Sequence, residues 1–222
     1  MPQLIAMIIV VVGALIYMFQ TFGGTGDKIE GIAQKTSVLT EINNIKDGVK
    51  LAARTGMIGS GGVNDPADAV STLKGLGTLS FFAEQINEQV KANTVTGTNA
   101  YNAISFGGNA TNNTTPDMVL SLAVEQNMIP GIFVDLSKGT LSDNAGFFET
   151  QISNDLSAIA FIDRHATAAL QPGNDTAPTA QGTTAGTVEL RLPVATAAGT
   201  DTDKDGKFII YFKDFGSNEV VR

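Results

Sequence analysis

The feature that most constrains this chain is an uncharged apolar run at its amino terminus. From Leu4 to Phe22 the only strongly polar side chain is Gln20, and Asp27 is the first formally charged residue. At the helical rise per residue this run is roughly 28 Å long, close to the hydrocarbon thickness of a bilayer. A helix that is apolar on every side must be buried in lipid or against copies of itself. We therefore expect a helix that spans a membrane or forms a bundle.

The flanks of this run differ from those of a secretory signal peptide. A signal peptide has a basic leading region, a shorter apolar stretch and an A-x-A-like cleavage site, and none of these is visible here. An initiator methionine before a small residue such as Pro2 is normally excised. We therefore expect Met1 to be exposed by cleavage of a leader peptide, with a retained initiator as the alternative.

A glycine-rich break, TFGGTG, separates the apolar run from a second helical segment. Gly23, Gly24 and Gly26 form the break, since a glycine inside a helix costs about 1 kcal/mol relative to alanine. Over residues 27–55 apolar side chains recur at spacings of three and four, which predicts an amphipathic helix ended by the glycines of GMIGSGG. The predicted buried face is Ile29, Ile32, Ala33, Leu39, Ile42, Ile45, Val49 and Ala52, and the predicted outer residues are Glu30, Lys35, Glu41, Lys46 and Lys50.

The middle of the chain has mixed patterns. Helix-start chemistry at Asn64 to Pro66 predicts a helix with Phe82, Ile86 and Val90 on one face. PDMVLSLAVEQNMIPGIFVDLSKG predicts a short helix from about Asp117 to Gln126, a turn at Pro130 and Gly131, and a strand from Ile132 to Leu136. FFETQISNDLSAIAFIDRHATAAL fits a helix or a strand.

The C-terminal part is β-rich. TVELRLPVA and KFIIYFKDF predict two strands joined by a turn-rich loop, and EVVR predicts a short last strand. We therefore predict an α+β fold in two parts. Residues 1–26 are the apolar helix and its break, and residues 27–222 are a globular domain whose amphipathic helix packs on a C-terminal antiparallel sheet.

Composition excludes several classes of function. A net charge of −8 without a basic stripe argues against nucleic acid as a partner, because backbone phosphates repel an acidic surface. The absence of cysteine excludes disulfides, thiolate catalysis and cysteine-based metal sites. His165 is the only histidine, and no G-x-S-x-G elbow accompanies it. We expect a structural or surface histidine and no enzymatic activity.

One acidic loop is a candidate calcium site. GTDTDKDGKF places Asp201, Asp203 and Asp205 at alternate positions before a glycine, as in the first half of an EF-hand loop. The twelfth position is Phe212 instead of the bidentate glutamate, so a further ligand such as Asp214 would be needed. A solvated hairpin loop without a cofactor is the alternative. Four asparagines begin N-x-[ST] sequons and are candidate glycosylation sites: Asn109, Asn112, Asn113 and Asn174.

Together the apolar N-terminal helix, the glycine break, the amphipathic continuation and the C-terminal sheet resemble a type IV pilin, in particular the type IVb subclass. TEINNIKDGVKLAARTG resembles the end of the long pilin helix, and LSLAVEQNMIPGIFV resembles the pilin helix, "-IP-" turn and following strand. Methionine as the first mature residue is similar to several type IVb pilins. Two departures are Ile5, where the family usually has glutamate, and the missing C-terminal disulfide. Gln3 cannot supply the charge of that glutamate.

The resemblance implies a structural subunit of an extracellular filament, a homopolymer of this chain at the cell surface. Before assembly the subunit would be held in the cytoplasmic membrane, with a leader peptidase and the pilus assembly machinery as partners. Small residues would permit close approach of helices in the filament core. The residues expected in that core are Met1, Gln3, Ile5, Ala6, Gly13 and Ala14.

The sequence does not choose among cell adhesion, motility, DNA uptake and aggregation as the role of such a filament, or between a bacterial and an archaeal pilin. One alternative is a membrane-anchored envelope domain, such as a minor pseudopilin of a secretion system. Another is an anchored enzyme or surface binding protein that uses the threonine-rich loops.

Overall fold

The structure is a computed structural model, and it describes residues 31–61, 67–93, 96–108, 116–169 and 204–222. The chain divides into two compact units, Met1–Val38 and Leu39–Arg222. The described residues of the first unit, 31–38, are helical. The predicted glycine break and the predicted boundary after residue 26 lie outside the described residues.

In chain order the described elements are three helices, three strands, a fourth helix and two further strands. The helices are α1 (residues 31–55), α2 (Leu73–Thr78), α3 (Glu84–Ala92) and α4 (Ala145–Leu156). The strands are β1 (Tyr101–Asn102), β2 (Val119–Ala123), β3 (Gly131–Asp135), β4 (Ala160–Asp163) and β5 (Lys207–Phe212). Two 3-10 turns, Ile104–Phe106 and Gly139–Asn144, follow β1 and precede α4.

The five strands form one antiparallel sheet in the order β1-β2-β3-β5-β4. Its register places aliphatic side chains opposite one another across four strands, as in the row Leu122, Ile132, Ile210 and Ile162. Cross-strand pairs of this kind stabilise a sheet through side-chain packing. The predicted α+β class with an antiparallel sheet is confirmed.

The second-unit part of α1 lies against one face of this sheet. Its side chains contact Tyr101 at one edge of the sheet and Phe212 on β5, so the helix crosses several strands. Four of its predicted core residues are at most 1% exposed: Ile42, Ile45, Val49 and Ala52. Full burial of a valine or isoleucine side chain contributes about 1.5–3 kcal/mol, so this stripe makes a large apolar contribution to the packing of the helix on the sheet.

The ends of the predicted amphipathic pattern differ from its centre. Ile32 and Ala33 were predicted to be buried but are exposed, Ile32 by 63%. Glu41 was predicted on an outer face, but it is only 2% exposed because hydrogen-bond donors outside the helix reach its carboxylate. The predicted stop is confirmed, since the helix ends at residue 55 and Gly56 adopts a φ of 71° that favours glycine.

The predicted helix from Asp117 to Gln126, and with it the helical part of the LSLAVEQNMIPGIFV resemblance, is wrong. The chain there forms β2, whose residues pair with β1 on one side and β3 on the other. Helix and strand are hard to distinguish by periodicity in a short apolar run. The pairing with two neighbouring strands decides in favour of the strand. The strand predicted at Ile132 to Leu136 is confirmed as β3, one residue earlier at each end.

Other segments divide differently from the predictions. The region predicted as one helix after Asn64 to Pro66 contains α2 and α3, with Ser80 between them at a φ of 62°. Most of α4 and all of β4 lie within FFETQISNDLSAIAFIDRHATAAL. The helix interpretation therefore holds for the first part of this stretch, and the strand interpretation holds for the part that forms β4. KFIIYFKDF is confirmed as β5. The short last strand predicted at EVVR is wrong, because these residues belong to none of the strands. TVELRLPVA lies outside the described residues.

None of the helices within the described ranges has the length and apolarity needed to cross a membrane. The predicted membrane-spanning run from Leu4 to Phe22 lies outside those ranges.

Candidate functional site

The outward face of α1 is a row of side chains that the described residues of the second unit leave exposed. Within that unit it consists of Thr40, Asn43, Asn44, Asp47, Leu51, Arg54 and Thr55. Leu51 is 48% exposed, and only Asp47 and Arg54 carry a charge. Because burial of charges is expensive and burial of amides and hydroxyls is cheaper when they find partners, this face can be covered at modest cost.

On the opposite face of α1, the buried carboxylate of Glu41 accepts two hydrogen bonds from residues outside the helix. The Tyr101 hydroxyl donates to Glu41 Oε2 at 2.8 Å, and the Ser105 amide donates to Oε1 at 2.8 Å. Burial, together with the hydrogen bond and charge of Glu41, raises the pKa of Tyr101, so the phenol stays protonated and remains a donor. These two bonds fix the rotation of α1 relative to β1 and the turn that follows it, and so determine which side of the helix is outward.

Two lysines of α1 share a carboxylate beyond the end of β5. Asp214 Oδ2 lies 2.9 Å from the Nζ atoms of both Lys46 and Lys50. The same ammonium groups lie over aromatic rings, Lys46 at 4.4 Å from the centroid of Phe212 and Lys50 at 5.9 Å from that of Phe215. The structure therefore uses Asp214, the suggested extra calcium ligand, as an ion-pair partner of α1.

The predicted calcium loop is held at its described end by a buried glutamate. Glu149 of α4 is fully buried and accepts hydrogen bonds from the amides of Lys204, at 3.0 and 3.1 Å, and Gly206, at 2.9 Å. Arg164 Nε donates to the same carboxylate at 2.7 Å. Asp205 Oδ1 accepts from the Lys207 amide at 2.8 Å, which is the geometry of a local turn. The carboxylate of Glu149 thus fixes the loop where it enters β5.

Asp201 and Asp203 lie outside the described residues, so the three predicted ligands are not all placed. Within the described ranges no group of three acidic or histidine side chains is arranged to hold a metal ion. The calcium site stays a prediction.

His165 lies in the turn after β4, where its amide donates to Asp163 Oδ1 at 3.0 Å. Its neighbour Arg164 is committed to Glu149. This arrangement gives His165 a structural setting at the end of a strand. The four candidate glycosylation sites, Asn109, Asn112, Asn113 and Asn174, lie outside the described residues.

An open groove of about 700 Å³ runs beside α3. Its walls include Glu84, Glu88 and the 37% exposed side chain of Ile104. The buried amide of Gln89, which also lines the groove, exchanges hydrogen bonds with both backbone groups of Asn102. This amide therefore holds β1.

Sequence reasoning missed the burial of Glu41 and Glu149. In α4 the buried residues are Ala145, Phe148, Glu149, Ile152 and Leu156, which follow helical spacing, so Glu149 lies on an otherwise apolar stripe. A carboxylate in such a position signals a buried polar contact, because charged side chains are rarely buried without partners. Glu41 carries no comparable signal, since its partners come from residues sixty or more positions away.

The residues predicted to pack in the filament core, Met1, Gln3, Ile5, Ala6, Gly13 and Ala14, lie outside the described residues. What the structure places is the globular part that follows them, with the second-unit part of α1 fixed to the sheet on one side and uncovered on the other. No protein-family model, curated protein or solved structure matches this chain.

Proposed function

We propose that this chain is a structural subunit of an extracellular filament of the type IV pilin kind. Its N-terminal segment holds the subunit in the cytoplasmic membrane before assembly and forms the filament core afterwards. The observation that carries this proposal is α1, a helix anchored to an antiparallel sheet and preceded in the sequence by an uncharged apolar run. An apolar run that leaves lipid must be buried again, and bundling with identical helices does this.

The outward face of α1 supports the same proposal. In a helical bundle the neighbours of α1 cover this face, and its small number of charges keeps the desolvation cost of that contact low. The Glu41 contacts hold the face in a fixed direction relative to the sheet, so each subunit presents the same surface. Identical presentation is what a helical polymer of one chain requires.

The direct test is to shear the surface of the source cells and examine the released material by electron microscopy and mass spectrometry. Thin fibres whose major component is this chain, with Met1 as the first residue, are the expected result. Retention of the protein in the membrane fraction, with no fibre containing it, would overturn the proposal and favour a membrane-anchored domain.

A variant tests the bundling step separately. Val11→Asp places an unpaired charge within the apolar run and should block assembly while the globular part stays folded. Val11→Leu is the matched control, because it keeps the position apolar, and it should assemble normally. Fibres of normal yield and length from Val11→Asp would refute bundling of this segment.

A further inference from the structure

The last ten residues, 213–222, form a strap that returns from β5 to the end of α1. Arg222 exchanges two backbone hydrogen bonds with residues 58–60, at 2.9 and 3.0 Å, and Val221 exchanges two with residues 127–128, both at 2.9 Å. The end of the strap is thus inserted between two segments and bonded on both sides. It completes their backbone hydrogen bonding as a strand would.

Charge pairs hold the strap along its length. Lys46, Lys50 and Arg54 recur every four residues and line one side of α1. Asp214 faces the two lysines, and Lys50 also donates to its main-chain oxygen at 2.8 Å. Glu219 accepts from Arg54 Nε at 2.9 Å and from the Gly216 amide at 2.7 Å, with Lys50 acting on it at longer range.

Apolar contacts are sparse in the strap by comparison with the strand that precedes it. Of the strap's apolar side chains only Phe215 and Val221 are buried, whereas all of β5 after Lys207 is buried. Segments with few buried apolar side chains open locally at lower free energy than the core does. The ion pairs therefore supply a larger share of the strap's hold than they do for the sheet.

We propose that the strap is an ion-paired clasp that opens as a local unit, leaving the five-stranded sheet folded, when its ion pairs with Lys46, Lys50 and Arg54 are lost. Opening exposes the backbone groups of residues 58–60 and 127–128, which then resemble an unpaired sheet edge. The clasp joins the end of α1 to residues 219–222 without a covalent bond. It is a property of the single chain and does not depend on the filament proposal.

The pKa of Glu219 gives the direction of the pH dependence. Burial acts to raise this pKa, but the hydrogen bond from the Gly216 amide and the hydrogen bond and charge of Arg54 outweigh it and hold the pKa below its ordinary value of 4.5. A depressed carboxylate pKa stabilises the closed clasp above the ordinary value, and this contribution is lost as the pH falls through the depressed value.

Amide hydrogen exchange of the full chain in mild detergent tests the clasp. The double variant Asp214→Asn with Glu219→Gln should lower the protection factors of the Ser60, Val221 and Arg222 amides by about tenfold, as expected for the loss of three partly exposed ion pairs that two carboxylates make. The protection factors of β3 and β5 should not change. Asp68→Asn with Asp143→Asn is the matched control, since it removes the same charge from two exposed positions and should leave the strap protected.

Lowering the pH should produce the same selective loss in the wild-type chain, after correction for intrinsic exchange. The double variant should show no such selective loss. Unchanged strap protection in the double variant would overturn the proposal. An equal fall in the strap and in β3 and β5 would also overturn it, because the strap would then open only when the whole domain unfolds.

Discussion

The carboxylate of Glu149 offers the sharpest test of how the described part of the domain is held together. Glu149→Ala removes the acceptor of two backbone amides, those of Lys204 and Gly206, and the partner of the Arg164 guanidinium. Glu149 thus connects α4 to the turn after β4, through Arg164, and to the entry of β5, through Lys204 and Gly206. One substitution therefore breaks the contacts among three parts of the fold.

The magnitude follows from what is left without a partner. Breaking a buried ion pair by removal of one side chain costs about 3–5 kcal/mol. The Arg164 side chain is 24% exposed and can turn towards water, so we expect the lower end, about 3 kcal/mol. For a chain of this length that corresponds to a fall of roughly 6–12 °C in Tm. Glu149→Gln keeps an acceptor oxygen but loses the charge, and should cost about 1.5–2 kcal/mol.

The assay is urea unfolding followed by far-UV circular dichroism, because the chain has no tryptophan to report by fluorescence. Asn154→Ala is the matched control, since this residue lies on the exposed side of the same helix. It should change the free energy of unfolding by less than about 0.5 kcal/mol. A Glu149→Ala variant no less stable than Asn154→Ala would refute the claim that this carboxylate fixes the loop.

Two further pairs of variants use the same assay. Tyr101→Phe removes a hydroxyl donor from the buried Glu41 and should cost about 1.5–3 kcal/mol, whereas Tyr211→Phe removes a buried hydroxyl that has no hydrogen-bond partner in the described structure and should be neutral or stabilising. Equal losses from both would contradict the role given to Glu41. Gly131→Ala places a methyl group 2.6 Å from the Tyr211 ring and 2.7 Å from Ile209 and should cost about 1–3 kcal/mol. Gly31→Ala meets nothing within 4 Å in a helix and should stabilise by up to about 1 kcal/mol, so a Gly131→Ala protein as stable as Gly31→Ala would show that the sheet face is not closely packed there.

The sequence determined the elements whose pattern is long or strongly periodic. The stripe Ile42, Ile45, Val49 and Ala52 predicted the buried face of α1 because helical spacing repeats over several turns. The stop at Gly56 was predictable from glycine, which alone adopts the required backbone angle without strain. The β-branched and aromatic run in β5 was predictable for a similar local reason.

Tertiary structure decided whatever depends on partners distant in the chain. The segment around Leu120 became a strand because β1 and β3 pair with it on both sides, although its local pattern also fits a helix. Glu41 is buried because Tyr101 and Ser105 reach it, and Asp214 is an ion-pair partner of α1 because two lysines lie across from it. Hydrogen bonds and ion pairs of this range leave no trace in local periodicity, since each requires the sheet to bring its two ends together. The sequence alone thus determined an apolar start, an amphipathic helix and a β-rich end, while the folded chain determined which charges are buried and what each one holds.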